Sequence, residues 1–258
     1  MMDILRGAFR HRALAEILVG RDLKARYRGT VLGFFWSFAN PLLMMLIYML
    51  VFGVYMRIDQ ENYAIFLLCG LLPWTAFTAG LIEGMGAMVS NGSIIKKVHL
   101  PLEIFPLVSV TTNIIHFLLS LPIILGVASL NGIGLSWHLL WLPCITLLQF
   151  IFTYALALFL ASMAVQFRDV AQIMPNLLTV WFYLTPVIYP TKMVPERFHV
   201  FIYSNPMTLI IESYRDVLFY HQSPPLAGLA TLLLTGCASL AFGSWVFRSR
   251  SSLYPEMV

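Results

Sequence analysis

The sequence predicts an all-α integral membrane protein with six transmembrane helices, an N-terminal amphipathic interface helix and two re-entrant helices between spans 5 and 6. Three observations predict it. Of the 258 residues, 59% are hydrophobic and only 11% are charged. A soluble domain carries roughly 25% charged residues, so this chain cannot cover its surface in water. Apolar runs long enough to cross a hydrocarbon core, each of about 20 residues, recur six times and occupy about half the chain. The basic residues then fall unevenly between the loops, as they do in multi-pass proteins. No room remains for a large domain outside the membrane, so any soluble chemistry must come from another chain.

Residues 1–28 have helical spacing. Leu5, Phe9, Leu14, Ile17 and Leu18 supply one face, and Arg6, Arg10, Arg12, Arg21, Lys24, Arg26 and Arg28 the other. Such a helix lies along a membrane surface; the alternative is a disordered basic tail. Charges interrupt the place where an apolar signal-peptide core would stand, so no cleavable leader is expected. The first span is expected over residues 31–56, kinked at Pro41, and the second over 63–89, bent at Pro73 with Glu83 toward its cytosolic end. A carboxylate in a span can be functional, but the position of Glu83 favours an interface or snorkelled location. Spans three to six are expected over 107–130, 137–165, 170–187 and 226–247, with Pro122, Pro143 and Pro175 inside them. Neighbouring helices must satisfy the carbonyls that such prolines free. Asn113 and His116 could line a path or make helix-to-helix hydrogen bonds.

Placing both termini and the loops after spans two and four on one side collects twelve of the sixteen Lys and Arg residues there. That side should be the cytoplasm. Residues 188–225 are too charged to span and too aromatic for a plain loop. They read as two short helices dipping into the outer half of the bilayer, the second capped by Asn205 with Pro206 at its first position. Phe198, Phe201, Tyr203, Tyr214, Phe219 and Tyr220 give the pair an interfacial character, either as an anchoring collar or as a pore-lining gate.

The excess of basic residues suits loop orientation and anionic headgroups, not nucleic acid. Cys69, Cys144 and Cys237 lie in apolar runs with neither metal nor disulfide spacing. The six histidines have no metal-binding spacing, so no metal site is expected, and no phosphate-loop or nucleophile-elbow motif occurs. No catalytic residue is therefore assigned, and no cofactor is expected in this chain. The loop after span two carries Ile94, Ile95, Lys96, Lys97 and His99. It reads as a short amphipathic helix whose apolar face docks in a partner's groove, or as a turn held at the headgroups by its lysines. Arg168 and Asp169 form a second, smaller candidate contact.

The run Arg26-Tyr27-Arg28-Gly29-Thr30-Val31-Leu32-Gly33-Phe34-Phe35-Trp36, continuing to Asn40-Pro41, resembles the opening signature of the ABC-2 type permeases that export polysaccharides, the Wzm-like O-antigen permease subunits and their teichoic-acid and capsule relatives. Gly70-Leu71-Leu72-Pro73-Trp74, Ile95-Lys96-Lys97, Arg168-Asp169, Thr185-Pro186-Val187-Ile188-Tyr189-Pro190, and Asn205-Pro206-Met207 leading to Glu212 and Arg215 follow in the same order. Leu100-Pro101 stands where relatives often have Phe-Pro. The resemblance implies an inner-membrane homodimer joined to two copies of a separate ATP-binding-cassette ATPase, which holds the ATP and magnesium. The loop at 90–99 would be its coupling helix, and the helices within 188–225 its outer re-entrant gate. The cargo expected is a polysaccharide on a polyprenyl pyrophosphate, with O-antigen first and teichoic acid, capsule or a smaller compound as alternatives. A membrane-embedded glycan polymerase or ligase is the reading from another class.

A glycan is too polar for hydrocarbon and needs a path of many weak contacts. Phe34, Phe35, Trp36, Phe38, Tyr48, Trp181, Phe182 and Tyr183 could stack on sugar faces, although packing and lipid contact are the ordinary roles of such residues. Arg21, Lys24, Arg26 and Arg28 lie at headgroup level, where they could attract the carrier's pyrophosphate or serve topology alone.

Overall fold

A computed structural model describes residues 12–27, 36–96, 101–132, 134, 136–251 and 254. Every regular element among them is helical. The helices are α1 (Arg12–Tyr27), α2 (Trp36–Tyr48), α3 (Tyr63–Ser90), α4 (Gly92–Ile95), α5 (Ile104–Leu130), α6 (Leu142–Gln166), α7 (Asp169–Leu184), α8 (His199–Tyr203), α9 (Pro206–Leu218) and α10 (Leu226–Ser249). α2 continues without a break into a π-helical stretch, Met49–Tyr55, and a 3-10 turn, Trp137–Trp141, leads into α6.

Among the described residues, four segments are long and apolar enough to cross a membrane: Tyr63–Ser90, Ile104–Leu130, Trp137–Gln166 and Leu226–Ser249. Of the two other expected spans, the fifth corresponds to α7, with 16 residues, about 24 Å at the α-helical rise. The first corresponds to α2 with its π extension over residues 36–55, and its residues 31–35 lie outside the described residues. Pro41, Pro73, Pro122 and Pro175 are interior to helices. Pro143 is not; it stands in the first turn of α6, where its missing N–H costs no helical hydrogen bond.

α3 is the hub of the bundle. It packs along α5 on one side and α6 on another, and it also touches α2, α7 and α9. Of its most apolar window, 78% is buried against protein, compared with 28% for α10, so α3 is a core helix and α10 mostly meets the surroundings. Both helices nonetheless approach α6 closely at small residues. A Cβ at Gly84 of α3 would stand 2.8 Å from the Cβ of Ala157 on α6, and one at Gly243 of α10 would strike the carbonyl of Ala155. Helices in hydrocarbon gain little from apolar burial and associate through such close backbone approach.

The loop ends sort into two groups. At one end, Arg248 in the last turn of α10 pairs with Glu103 before α5 at 3.4 Å. Arg250 donates to Gln166 at the end of α6 at 3.0 Å, and the Tyr254 hydroxyl reaches Ser162 and the Phe247 carbonyl. Burial pushes the Tyr254 phenol above its ordinary pKa, which keeps it a neutral donor. The opposite end holds the start of α3, the end of α7, and α8 and α9.

α1 lies against α5. Leu18 is buried and Leu14, Ala15 and Val19 pack beside it, but Ile17 is exposed. The buried stripe is therefore narrower than the expected apolar face. Residues 1–11 and Arg28 lie outside the described residues.

Candidate functional site

At the end that gathers the termini of α5, α6 and α10, three residues from three helices close a ring. Arg26 of α1 forms an ion pair with Glu83 of α3, and its Nη1 donates to Asn113 Oδ1 of α5 at 3.1 Å. Asn113 Nδ2 in turn donates to the second Glu83 oxygen at 2.6 Å. Glu83 thus stands seven residues, about 10 Å, inside the end of α3 with a cation and an amide as partners. Its charge is balanced in place while the side chain stays 41% exposed. Arg26 equally is not a free headgroup cation. The pairing joins positions 57 residues apart, which is why no local pattern showed it. Arg21 is also engaged, with Asp22 at 2.9 Å and with Asn91 Oδ1 at 3.2 Å, whereas Lys24 is exposed.

Beside this ring lies a cavity of about 230 Å³ whose polar wall is Arg26, Asn40, Thr75, Asn113, His116 and Ser120. Asn113, His116 and Ser120 recur at helical spacing along α5, so one face of that helix carries polar groups from the ring to mid-span. Asn40, Pro41 and Thr75 also line a second groove, of about 330 Å³, between α2, α3 and α7. Its walls are aromatic: Tyr48, Trp74, Phe182 and Tyr183. Tyr48 stacks on Phe182 at 5.8 Å between centroids, and Trp74 lies 5.6 Å from Phe182. Rings packed on one another in this way present stiff, apolar surfaces with little rotamer entropy to lose. Trp181, by contrast, faces inward onto Phe77 and Trp74 and donates to Asn205 Oδ1 at 3.0 Å. It belongs to the packing, not to the groove wall. Phe34 and Phe35 lie outside the described residues, as do the side chains of Trp36 and Phe38. Trp74, one wall of the groove, was absent from the aromatic set named on sequence; its presence in a proline-bent apolar run was the available signal.

The other end of the bundle is tied by a fully buried arginine. Arg215 Nη1 donates to the Pro186 carbonyl at 2.6 Å and to Glu212 at 2.8 Å, and Nη2 donates to the Val187 carbonyl at 2.7 Å. Thr191 donates to the same Glu212 carboxylate at 3.0 Å, and Tyr63 to the Ile188 carbonyl at 2.6 Å. Asn205 caps α9 through the Met207 N–H and reaches Thr185 Oγ1 at 2.8 Å. At Gly70 a Cβ would meet the Val187 carbonyl at 2.7 Å and Arg215 Nη2 at 3.0 Å, so only glycine lets the strap pass. Three motifs far apart in the chain, 70–74, 185–190 and 205–215, are therefore one interlocked structure. Desolvation works to lower the Arg215 pKa and the Glu212 carboxylate works against it.

Among the residues expected to form an interfacial gate, Phe198, Phe201, Tyr203 and Tyr220 are exposed. Tyr214 is not: it is wholly buried, 3.1 Å from Thr146 of α6 and edge-on to Phe117. Phe219 is half-buried against Phe66. The amphipathic α9 turns its Tyr214 and Arg215 face inward, opposite to the interfacial reading, because the cavity of carbonyls at 186–187 needs a donor.

On the candidate coupling loop, Ile95 is buried in the bundle and Ile94 packs against the core, while Ser93 and Lys96 are exposed. Both isoleucines thus contact the bundle, Ile95 wholly and Ile94 in part. Lys97 and His99 lie outside the described residues. Arg168 and Asp169 are exposed, Asp169 in the first turn of α7 where a carboxylate complements the helix dipole.

Residues 14–219 match the family model described as ABC-2 type transporter. The chain belongs to this family. It is 37% identical, over the full length of both chains, to the O-antigen export system permease protein RfbA of Myxococcus xanthus. It is 32% identical to the protein of that name from Klebsiella pneumoniae over 95% of each chain, and 21% identical to the polysialic acid transport protein KpsM of Escherichia coli over 91% of this chain and 92% of the other. The matched ABC-2 region contains the polar ring, the aromatic groove and the Arg215 lock.

Proposed function

We propose that this ABC-2 protein is the transmembrane permease subunit of a polysaccharide exporter, carrying a lipid-linked glycan, O-antigen first, across the inner membrane on ATP hydrolysis by a separate subunit. The observation that carries this reading is the end-to-end similarity to permeases named for O-antigen export. In this reading the chain crosses the membrane six times with both termini in the cytoplasm, α2 with its π extension lying in the first span and α7 forming the fifth. The exposed apolar residues of those helices, Leu43, Leu46 and Ile47 on one and Ile173, Leu177 and Val180 on the other, support a homodimer in which each copy covers what the other leaves open.

The groove walled by Tyr48, Phe182 and Tyr183 is the part of the glycan path within one copy. Its rings offer faces to sugars, and Asn40, Thr75 and Thr78 offer hydroxyl-scale hydrogen bonds, so successive residues can slide without strong binding. Lys96, Arg168 and Asp169 form the surface toward two ATPase subunits, which bring ATP and magnesium. Arg21, Lys24, Arg26 and Arg28 are the basic set toward the carrier pyrophosphate, and the residues 188–225 form the outer re-entrant gate.

The test is reconstitution. The purified chain with its ATPase in proteoliposomes should move a polyprenyl-linked glycan only when ATP is present. Transport by the chain alone, or nucleotide hydrolysis without the second subunit, removes the proposal.

A further inference from the structure

The ring of Arg26, Glu83 and Asn113 has a property that an ordinary structural ion pair lacks. It is not sealed: the Arg26 and Glu83 side chains keep 34% and 41% of their surface, and Arg26 and Asn113 form the wall of the cavity that continues along His116 and Ser120. A partly exposed pair contributes little net stability and can be exchanged at low cost. Arg26 is the basic group of α1 that reaches into the span region, and its present acceptor is a carboxylate from the same chain. A guanidinium donates to phosphate oxygens with the same forked geometry as to carboxylate oxygens.

We infer that Glu83 is a built-in competitor for Arg26: a phosphate-bearing lipid entering the cavity takes Arg26 from Glu83, and the exchange frees α1 from α3. This rests on the carrier reading above and adds its regulation. The exchange balances in charge at Arg26, which has one anionic partner before and one after. The released Glu83 carboxylate, already half exposed, turns to water, away from the incoming anion that repels it. Asn113 takes part on both sides of the exchange, because its Nδ2 can donate to either anion while its Oδ1 accepts from Arg26. α1 remains attached at Arg21 to Asn91, the residue that directly precedes α4. Release at Arg26 loosens the end of α1, which stays packed on α5 and tied through Arg21 to the segment that leads into the candidate coupling loop, so arrival of cargo alters the mounting of that loop.

The experiment uses the permease–ATPase complex in phosphatidylcholine nanodiscs and radiolabelled geranylgeranyl pyrophosphate as probe, with amide exchange of α1 as a second readout. Glu83→Gln, which can still accept from Asn113, should bind the probe about fivefold more tightly than the unaltered complex and show faster α1 exchange without ligand. Arg26→Gln should lose the binding. Inorganic pyrophosphate and added phosphatidylglycerol should not compete. Equal affinity of the Glu83→Gln and unaltered complexes overturns the competitor role while leaving the carrier reading standing. No binding to either complex overturns the carrier reading and this inference with it. Competition by phosphatidylglycerol as strong as by the probe shows a headgroup site and overturns the assignment to the carrier.

Discussion

The guanidinium carbon of Arg215 lies 3.6 Å from the centroid of the Phe66 ring, while its two terminal nitrogens hold the carbonyls of Pro186 and Val187. One cation thus closes the end of α3, the strap after α7 and helix α9 into a single body. Arg215→Ala leaves two carbonyls without a donor and the Glu212 carboxylate with Thr191 alone. The expected loss is on the order of 3–5 kcal/mol, read as a large fall in the unfolding midpoint in detergent. Arg215→Lys keeps the charge but not the fork, and should recover only part of the stability.

Glycine positions on α3 separate packing from propensity. Gly84→Leu drives a side chain into Ala157 and should cost about 1–3 kcal/mol. Gly86 has open space where a Cβ would stand, so Gly86→Ala should raise stability by about 0.5–1 kcal/mol through helix propensity alone. Thermal unfolding of the two variants checks both signs.

The candidate coupling loop also divides by burial. Ile95→Asp places an unpaired carboxylate in the core and should lower the yield of folded permease. Lys96→Glu alters an exposed charge and should leave the unfolding midpoint within about 0.5 kcal/mol of the parent while weakening copurification of the ATPase. Recovery of the ATPase at unchanged levels from the Lys96→Glu variant removes that residue from the interface.

Topology is tested with single cysteines after the three native ones are replaced, since Cys144 is exposed and Cys237 partly so. Tyr203→Cys should react with a membrane-impermeant thiol reagent from outside only. Phe219→Cys should react at least several-fold more slowly, being shielded by Phe66 and Tyr220. Labelling of Tyr203→Cys from the cytosol reverses the assigned sidedness.

In the groove, Tyr48→Ala removes a ring that Phe182 rests on, and with it about 0.5–1.5 kcal/mol of aromatic contact. Glycan export should fall several-fold while ATPase binding stays. Export at the parental rate would reassign Tyr48 to packing.

The placement of helices was legible because hydrocarbon imposes one rule, that backbone groups bond within their own segment. The apolar runs at 63–89 and 226–247 became α3 and α10 with their ends displaced by two residues or fewer. What was not legible depended on pairing across long separations. Arg26 and Glu83, or Arg215 and the 186–187 carbonyls, look in one dimension like unrelated charges at the edges of apolar runs. Tyr214 misled for a related reason: an aromatic on a short amphipathic helix suggests an interface until Thr146 and Phe117 supply an inward socket. The aromatic groove was half foreseen. Tyr48 and Phe182 were named, but which rings meet was decided by how α2 and α7 lean on α3.

The tie between the Tyr254 hydroxyl and Ser162 gives α6 an external pointer. α10 is bound to the bundle chiefly along α6, and Tyr254 beyond it is hooked back onto that same helix, so Tyr254 travels as cargo of α6 rather than on an independent arm. A dye attached there would report displacements of a deeply embedded helix from the water-facing side.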